Sequence, residues 1–141
     1  MKPTLTVGTT VTRSMPVDRE RTIAFLGEGA RVYATPMLVR DIEVVARELV
    51  LPHLADGQDT VGTRVEIDHL AATPLGMEVE ITVTLASIHG RGLLFEVSAR
   101  DSVDLVCRGK HQRFVVDVRA TEARVAAKAA KASFVPAAAR A

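Results

Sequence analysis

Tyr33 to Leu54 reads YATPMLVRDIEVVARELVLPHL, and the spacing of its apolar residues decides the architecture. At about 100° per residue, Leu38, Ile42, Val45, Ala46 and Leu49 fall on one side, with Val39 and Val50 widening the arc. The stretch is therefore an amphipathic helix. Thr35 followed by Pro36 marks its start. The hydroxyl is expected to cap free N–H groups of the first turn, and proline at the first helical position lacks the N–H that would go unpaired. Pro52 and the Asp56-Gly57 turn stop the helix near Val50 or Leu51. Glu43 falls beside Val50, between it and Arg47. At the edge of the arc a carboxylate is partly desolvated without lying in the middle of the core.

Downstream the period changes from helix to strand. VGTRVEIDHLAATP, Val61 to Pro74, lies in a run from Thr60 to Ala72 that sets Val61, Val65, Ile67 and His69 on one face and Arg64, Glu66 and Asp68 on the other. A turn over Thr73-Pro74-Leu75-Gly76 leads to a second strand, Met77 to Ser87, with Val79, Ile81, Val83 and Leu85 inward. His89-Gly90-Arg91-Gly92 is a hairpin connection, after which Leu93, Phe95, Val97 and Ala99 oppose Leu94, Glu96, Ser98 and Arg100. A turn near Asp101 to Asp104 opens the last strand, about Leu105 to Val118. Upstream, Thr4 to Val17 reads as a strand with its turn, Asp18 to Leu26 as a short helix capped by Asp18, and Gly27-Glu28-Gly29 as a loop.

One long helix followed by four hairpin-linked strands, with a strand before it, predicts an α+β fold. The apolar face of the sheet needs a cover, and the helix between Pro36 and Leu51 is the only one long enough. The result is an antiparallel sheet wrapped around one long central helix, the hotdog arrangement, as a single domain over residues 1–118. Residues 119–141 form an Ala-rich tail that either starts as a helix or stays unpacked, because alanine favours helix but offers little surface to bury. A single curled sheet has open edges, which proteins pair or cover, so a homodimer is expected.

Composition excludes several function classes. The 141 residues suit one domain, and Lys plus Arg (18) nearly balance Asp plus Glu (17), which gives no electrostatic reason to expect nucleic acid or a membrane as partner. One cysteine, Cys107, allows no intrachain disulfide and no Cys-rich metal site; a buried free thiol in a reducing compartment is expected. The chain has no long apolar run, and MKPTLTVGTTVTRSMPVDRERT lacks the apolar middle of a secretory signal, so the expected location is cytoplasmic. His53, His69, His89 and His111 show no metal-ligand spacing, and neither a metal nor a cofactor is expected. His53 reads as a helix-end residue, His89 as a turn residue and His111 as a strand-surface residue.

Four blocks carry a resemblance: Tyr33-Ala34-Thr35 with Glu43 eight residues beyond the threonine, Val61-Gly62-Thr63, His69-Leu70-Ala71-Ala72-Thr73-Pro74, and Gly109-Lys110-His111-Gln112-Arg113. In this order and spacing the chain resembles the hotdog-fold thioesterases of the fluoroacetyl-CoA thioesterase-like branch, from roughly Val7 to Val118. The resemblance implies an acyl-CoA thioester hydrolase with Thr35, Glu43 and His69 as catalytic group, Gly62 contributing to carbonyl binding, Arg113 helping to hold the coenzyme A portion, and the thioester lying between two subunits. Where that branch carries an aromatic-rich segment over the acyl pocket, this chain reads Phe25-Leu26-Gly27-Glu28-Gly29-Ala30-Arg31.

Those residue types suit the chemistry. Thioester hydrolysis needs an activated water or a carboxylate nucleophile, a donor for the developing oxyanion, and a proton for the departing thiolate. Glu43 can attack the carbonyl or activate water, His69 can act as base and return a proton, and Thr35 can position either the glutamate or the thioester. The substrate class expected is a short or small acyl group. Read without the resemblance, Thr35 is a helix cap, Gly62 marks a bulge, Arg113 is a surface cation and His69 is a hydrogen-bonded core residue. Two alternatives stay open: a non-catalytic acyl-CoA-binding or sensing module, and an enoyl-CoA hydratase.

Overall fold

The computed structural model describes residues 1–133. Five antiparallel strands form the main sheet, in the order β1 (Thr10–Pro16), β5 (Glu78–His89), β6 (Gly92–Arg100), β7 (Leu105–Asp117), β4 (Gln58–His69). Helix α1 (Thr35–Val50) packs against β1, β4 and β5, and a two-residue pair, β2 (Thr22–Ile23) with β3 (Val32–Tyr33), leads the chain into it. An antiparallel sheet with one long covering helix is the α+β hotdog architecture read from the periodicity.

The core is where the two periods meet. Leu38, Ile42, Val45, Ala46, Leu49 and Val50 of α1 are buried against Val79, Ile81, Val83 and Leu85 of β5 and Leu93, Phe95, Val97 and Ala99 of β6. Truncating one of the large aliphatic residues here, such as Ile42→Ala, costs roughly 2–5 kcal/mol. β7 alternates too, but its inward positions read Cys107, Gly109, His111, Arg113 and Val115. Gly109 is required there: a Cβ on it would run into the Glu66 carbonyl and the Ile67 Cα of β4. His111 and Arg113 are buried polar residues in the middle of an otherwise apolar layer.

Three local expectations change. The first strand begins only at Thr10; the preceding residues form an arm in which Lys2 N–H donates to the His53 carbonyl (2.7 Å) and Leu5 is buried. Asp18 to Leu26 is not a helix. Asp18 does accept from the Arg21 N–H (3.0 Å), as a cap would, but Thr22 and Ile23 then pair with Tyr33 and Val32. This segment lacks an apolar stripe to hold a helix on the core. Third, α1 has Ala34 as its N-cap and no side-chain cap; Thr35 is already the first helical residue. The chain after the sheet continues as α2 (Val118–Lys131), none of whose residues is buried. The rest of the tail, residues 134–141, lies outside the described residues. Among the described residues no helix is long and apolar enough to cross a membrane.

Asp41, on the buried side of α1, is only 2% exposed. It accepts from Arg21 through Nε (2.8 Å) and Nη2 (3.3 Å) and from the Tyr33 hydroxyl. Burial first, and then the hydrogen bond to Asp41, push the Tyr33 phenol far above its ordinary range, so it stays a neutral donor. This network fastens β2 and β3 onto the helix and sets where Thr35 emerges.

Candidate active site

Strand β4 carries the site and has one irregularity. Its pairing with β7 shifts register between Gly62 and Arg64, so Thr63 is an extra residue in a β-bulge. The bulge resets the two-residue alternation. Thr60 (5% exposed) and Gly62 face α1 before it, and Val65, Ile67 and His69 turn inward after it. Val61, expected on the same face as His69, is 41% exposed on the other side.

At the N-terminal end of α1, the Thr35 hydroxyl meets His69 Nδ1 at 2.7 Å. The hydroxyl is free for this because it does not cap the helix. His69 Nε2 is buried and has no hydrogen-bond partner among the described residues. Burial pushes the imidazole below its ordinary pKa, and the Ala71 backbone partly opposes that shift. A neutral ring with Nδ1–H donated to Thr35 leaves the Nε2 lone pair available as a base. Thr35 and His69 line a cavity of about 390 Å³ whose other walls include Ile23, Val32, Ala34, Pro36 and Leu70, with Phe25 at its rim.

Two turns further along α1, Glu43 sits against the bulge. A Cβ built on Gly62 would fall 2.5 Å from Glu43 Oε1 and 3.4 Å from Arg113 Nη1, so glycine is what lets the carboxylate and the guanidinium share this spot. Arg113 is almost fully buried and turned inward. Its Nε donates to Thr60 Oγ1 (2.7 Å), Nη2 to the Thr60 carbonyl (2.9 Å), and Nη1 lies 3.2 Å from His111 Nε2. Burial pushes the guanidinium pKa down, and the charges of Glu43 and then Asp59 oppose this. Arg113, expected to help hold the coenzyme A portion, is turned inward in the protomer: the inward face of β7 points its guanidinium at Thr60, His111 and the Glu43 side.

The five expected residues therefore form two groups. Thr35 and His69 are one, and Glu43, Gly62 and Arg113 are the other. Thr35 and Glu43 are separated by about 12 Å of helix rise, and Gly62 and His69 by about 20 Å of strand. Glu43 and His69 of one chain do not meet. Two residues were missed. His111, read as a surface residue, is fully buried, with Nδ1 2.8 Å from the Arg64 carbonyl and its ring 6.2 Å from that of Phe95. Thr60 anchors Arg113. The alternation along β7 carries a signal for burying His111, since Cys107, Gly109 and Val115 share its face. Among the described residues no cluster of His, Cys, Asp or Glu could hold a metal ion.

The fold is that of the hotdog thioesterases, with a histidine–hydroxyl pair at one end of its helix and a carboxylate against a glycine bulge further along it. The profile of the family described as fluoroacetyl-CoA-specific thioesterase matches residues 17–119, and the chain belongs to that family, a family of thioester hydrolases. It is 33% identical over 135 residues to the fluoroacetyl-CoA thioesterase of Streptantibioticus cattleyicolor, covering 91% of this chain and 97% of that one. A solved structure of a fluoroacetyl-CoA thioesterase superimposes with a TM-score of 0.82 at 32% identity, covering 88% of this chain and 97% of the other. A thioesterase superfamily member of Thermus thermophilus gives 0.86 at 27% identity, covering 94% and 98%.

Proposed function

We propose that the protein hydrolyses a short or small acyl-CoA thioester at a site completed between two copies of the chain, with Thr35 and His69 from one and Glu43, Gly62 and Arg113 from the other. The observation that carries the reading is the buried, unpartnered Nε2 of His69, oriented by Thr35 beside a mostly apolar cavity. Such an atom is costly unless it has work to do.

Strand β4 supports the shared site. Among the described residues it pairs with β7 alone, which leaves one side of a twelve-residue strand as an open edge. Two copies joined through this edge by a two-fold axis run antiparallel. An axis passing between Val65 and Glu66 sets Gly62 of one chain opposite the partner's His69, and the two half-sites become one.

In that arrangement the thioester carbonyl lies over Gly62, which is exposed and has no Cβ to hold it off. Glu43 supplies the carboxylate, as nucleophile or as base for water. As base, Glu43 takes a proton from the water whose oxygen bonds to the carbonyl carbon, and His69 relays it to the thiolate as the C–S bond breaks. As nucleophile, Glu43 forms an anhydride with loss of the thiolate, and His69 Nε2 takes a proton from the water that splits the anhydride and gives it to the thiolate. Arg113, a cation held beside Glu43, favours the negative charge that develops there. Phe25 is 87% exposed and does not cover the cavity, so the reading is for small acyl groups in general.

The test is a mixing experiment on acetyl-CoA and other short acyl-CoA thioesters. Glu43→Gln and His69→Ala are each expected to lose about 100- to 10,000-fold in turnover. Co-refolded in equal amounts they should regain about a quarter of wild-type activity, because half of the dimers are mixed and each carries one intact site. No recovery from a mixture shown to exchange subunits would overturn the shared site. Full activity in both single variants would overturn the catalytic assignment.

A further inference from the structure

His111 is a buried histidine in direct contact with the arginine of the Glu43 group, and the hydrolytic chemistry described above gives it no task. Its two nitrogens have different partners. Nδ1 lies 2.8 Å from the Arg64 carbonyl, which can only accept, so Nδ1 carries the proton. Nε2 lies 3.2 Å from Arg113 Nη1, which can only donate, so Nε2 offers its lone pair. The two contacts agree on one neutral tautomer. Arg64 is the residue at which the pairing of β4 resumes after the bulge that presents Gly62. One imidazole thus joins both parts of the floor under Glu43: the bulge and the guanidinium.

We propose that His111 is a positioning residue that, as the neutral Nδ1–H tautomer, ties Arg113 to the bulged segment of β4 and so fixes the guanidinium beside Glu43 and Gly62. The proposal rests on the reading of Glu43 as part of the reacting group. With Thr60 on Nε and Nη2 and His111 on Nη1, a buried cation is held at three nitrogens by neutral acceptors. Among the described residues it forms no ion pair within hydrogen-bond reach, so its charge is not quenched by a bound carboxylate. Proton uptake by His111 turns an acceptor into a donor pointed at Arg113 and sets two positive charges 3.2 Å apart.

Around the ring, Phe95 from β6 is apolar, Arg64 from β4 contributes its carbonyl, Arg113 on β7 is a cation, and Glu43 on α1 is a carboxylate acting on it. Burial pushes the imidazole below its ordinary pKa; the Arg64 carbonyl opposes this, the Arg113 charge adds to it, and the Glu43 charge opposes it. His111 therefore stays neutral at neutral pH.

His111→Leu and His111→Gln test the idea in the intact enzyme. Glutamine can accept from Arg113 and donate to the Arg64 carbonyl, and it cannot be protonated. The leucine variant should lose about tenfold or more in kcat with a smaller change in KM. The glutamine variant should recover most of that loss and lose one ionisation from the acid limb of the kcat profile. In a Glu43→Gln background the leucine change should cost little further, because its effect passes through the Glu43 group. Nitrogen-15 NMR of the wild-type imidazole at pH 7 should show protonated Nδ1 and bare Nε2, a readout that holds even if the leucine variant fails to fold. The opposite tautomer, a leucine variant with wild-type kcat and pH profile, or a glutamine variant as impaired as leucine would each overturn the proposal. If Glu43→Gln alone keeps full activity, the catalytic reading of Glu43 is what fails, while the NMR result still decides the placement of His111.

Discussion

The two ends of the working half of α1 solve opposite problems. Near its N-terminus the helix presents Thr35 to a half-buried histidine, with no charged residue among the walls of the adjoining cavity. Two turns on, it presents Glu43 to a glycine and a buried arginine, in a setting dominated by charge. The first end lowers the basicity of an imidazole by taking water away; the second keeps charge inside the protein by supplying an arginine held by neutral acceptors. The end that carries Thr35 has no carboxylate among the cavity walls, and the imidazole at the other end, His111, is turned to Arg113. An apolar pocket suits an acyl group and a neutral base, and the charged spot suits an oxyanion and its counter-charge.

A change at the charged end has the larger expected effect. Gly62→Ala puts a methyl 2.5 Å from Glu43 Oε1. The near atom is the tip of a flexible side chain, so the carboxylate moves and the fold does not. Turnover should fall about 100-fold, as expected for a displacement of roughly 1 Å, with the melting temperature nearly unchanged. A kinetic assay and a thermal melt together check this; full activity would mean that Glu43 need not stand where it does. The contrasting site is Gly109, where the added Cβ meets backbone of β4. Gly109→Ala should lower the melting temperature sharply.

At the apolar end the effect is smaller. Thr35→Val removes the partner of His69 Nδ1 and should cost about 10- to 100-fold in turnover, part of the ~100- to 10,000-fold that acid–base catalysis supplies. Thr35→Ser should restore it. Because Ala34 and not Thr35 is the N-cap, the valine change should not show the ~1 kcal/mol loss typical of a deleted cap. A clear drop in helix stability would return Thr35 to the capping role that its sequence suggests.

The smallest effect is shared by both ends. His69 and His111 are each held below the ordinary imidazole pKa, both chiefly by burial. The unfolded chain then binds more protons than the folded one as the pH drops through the ordinary histidine range near 6.5, so stability rises with pH across that window and declines on acidification. Denaturant melts between pH 7 and pH 5 should show the midpoint falling, and His111→Gln should reduce the slope.

Much of this was legible in the chain. The stripe Leu38, Ile42, Val45, Ala46, Leu49 and the alternation through β5 and β6 are local patterns, set by 3.6- and 2-residue periods, and they specified helix, strands and cover. The blocks around Thr35, Glu43, Gly62, His69 and Arg113 pointed to a thioesterase by resemblance, and family membership agrees.

Pairing decided the rest. A one-residue bulge after Gly62 exchanges the faces of β4, and alternation counted along a single strand cannot reveal a register fixed by the neighbouring strand. So Val61 turned out, Thr60 turned in, and Arg113 found its anchor. Whether the Thr35 hydroxyl caps a helix or meets His69 depends on where β4 ends relative to the start of α1, a distance in space and not in sequence. Local side-chain spacing determined which elements form and which residue types are available for chemistry; only the packed sheet determined which of those residues touch, because contacts between elements are set by register and bulge, which no single segment encodes.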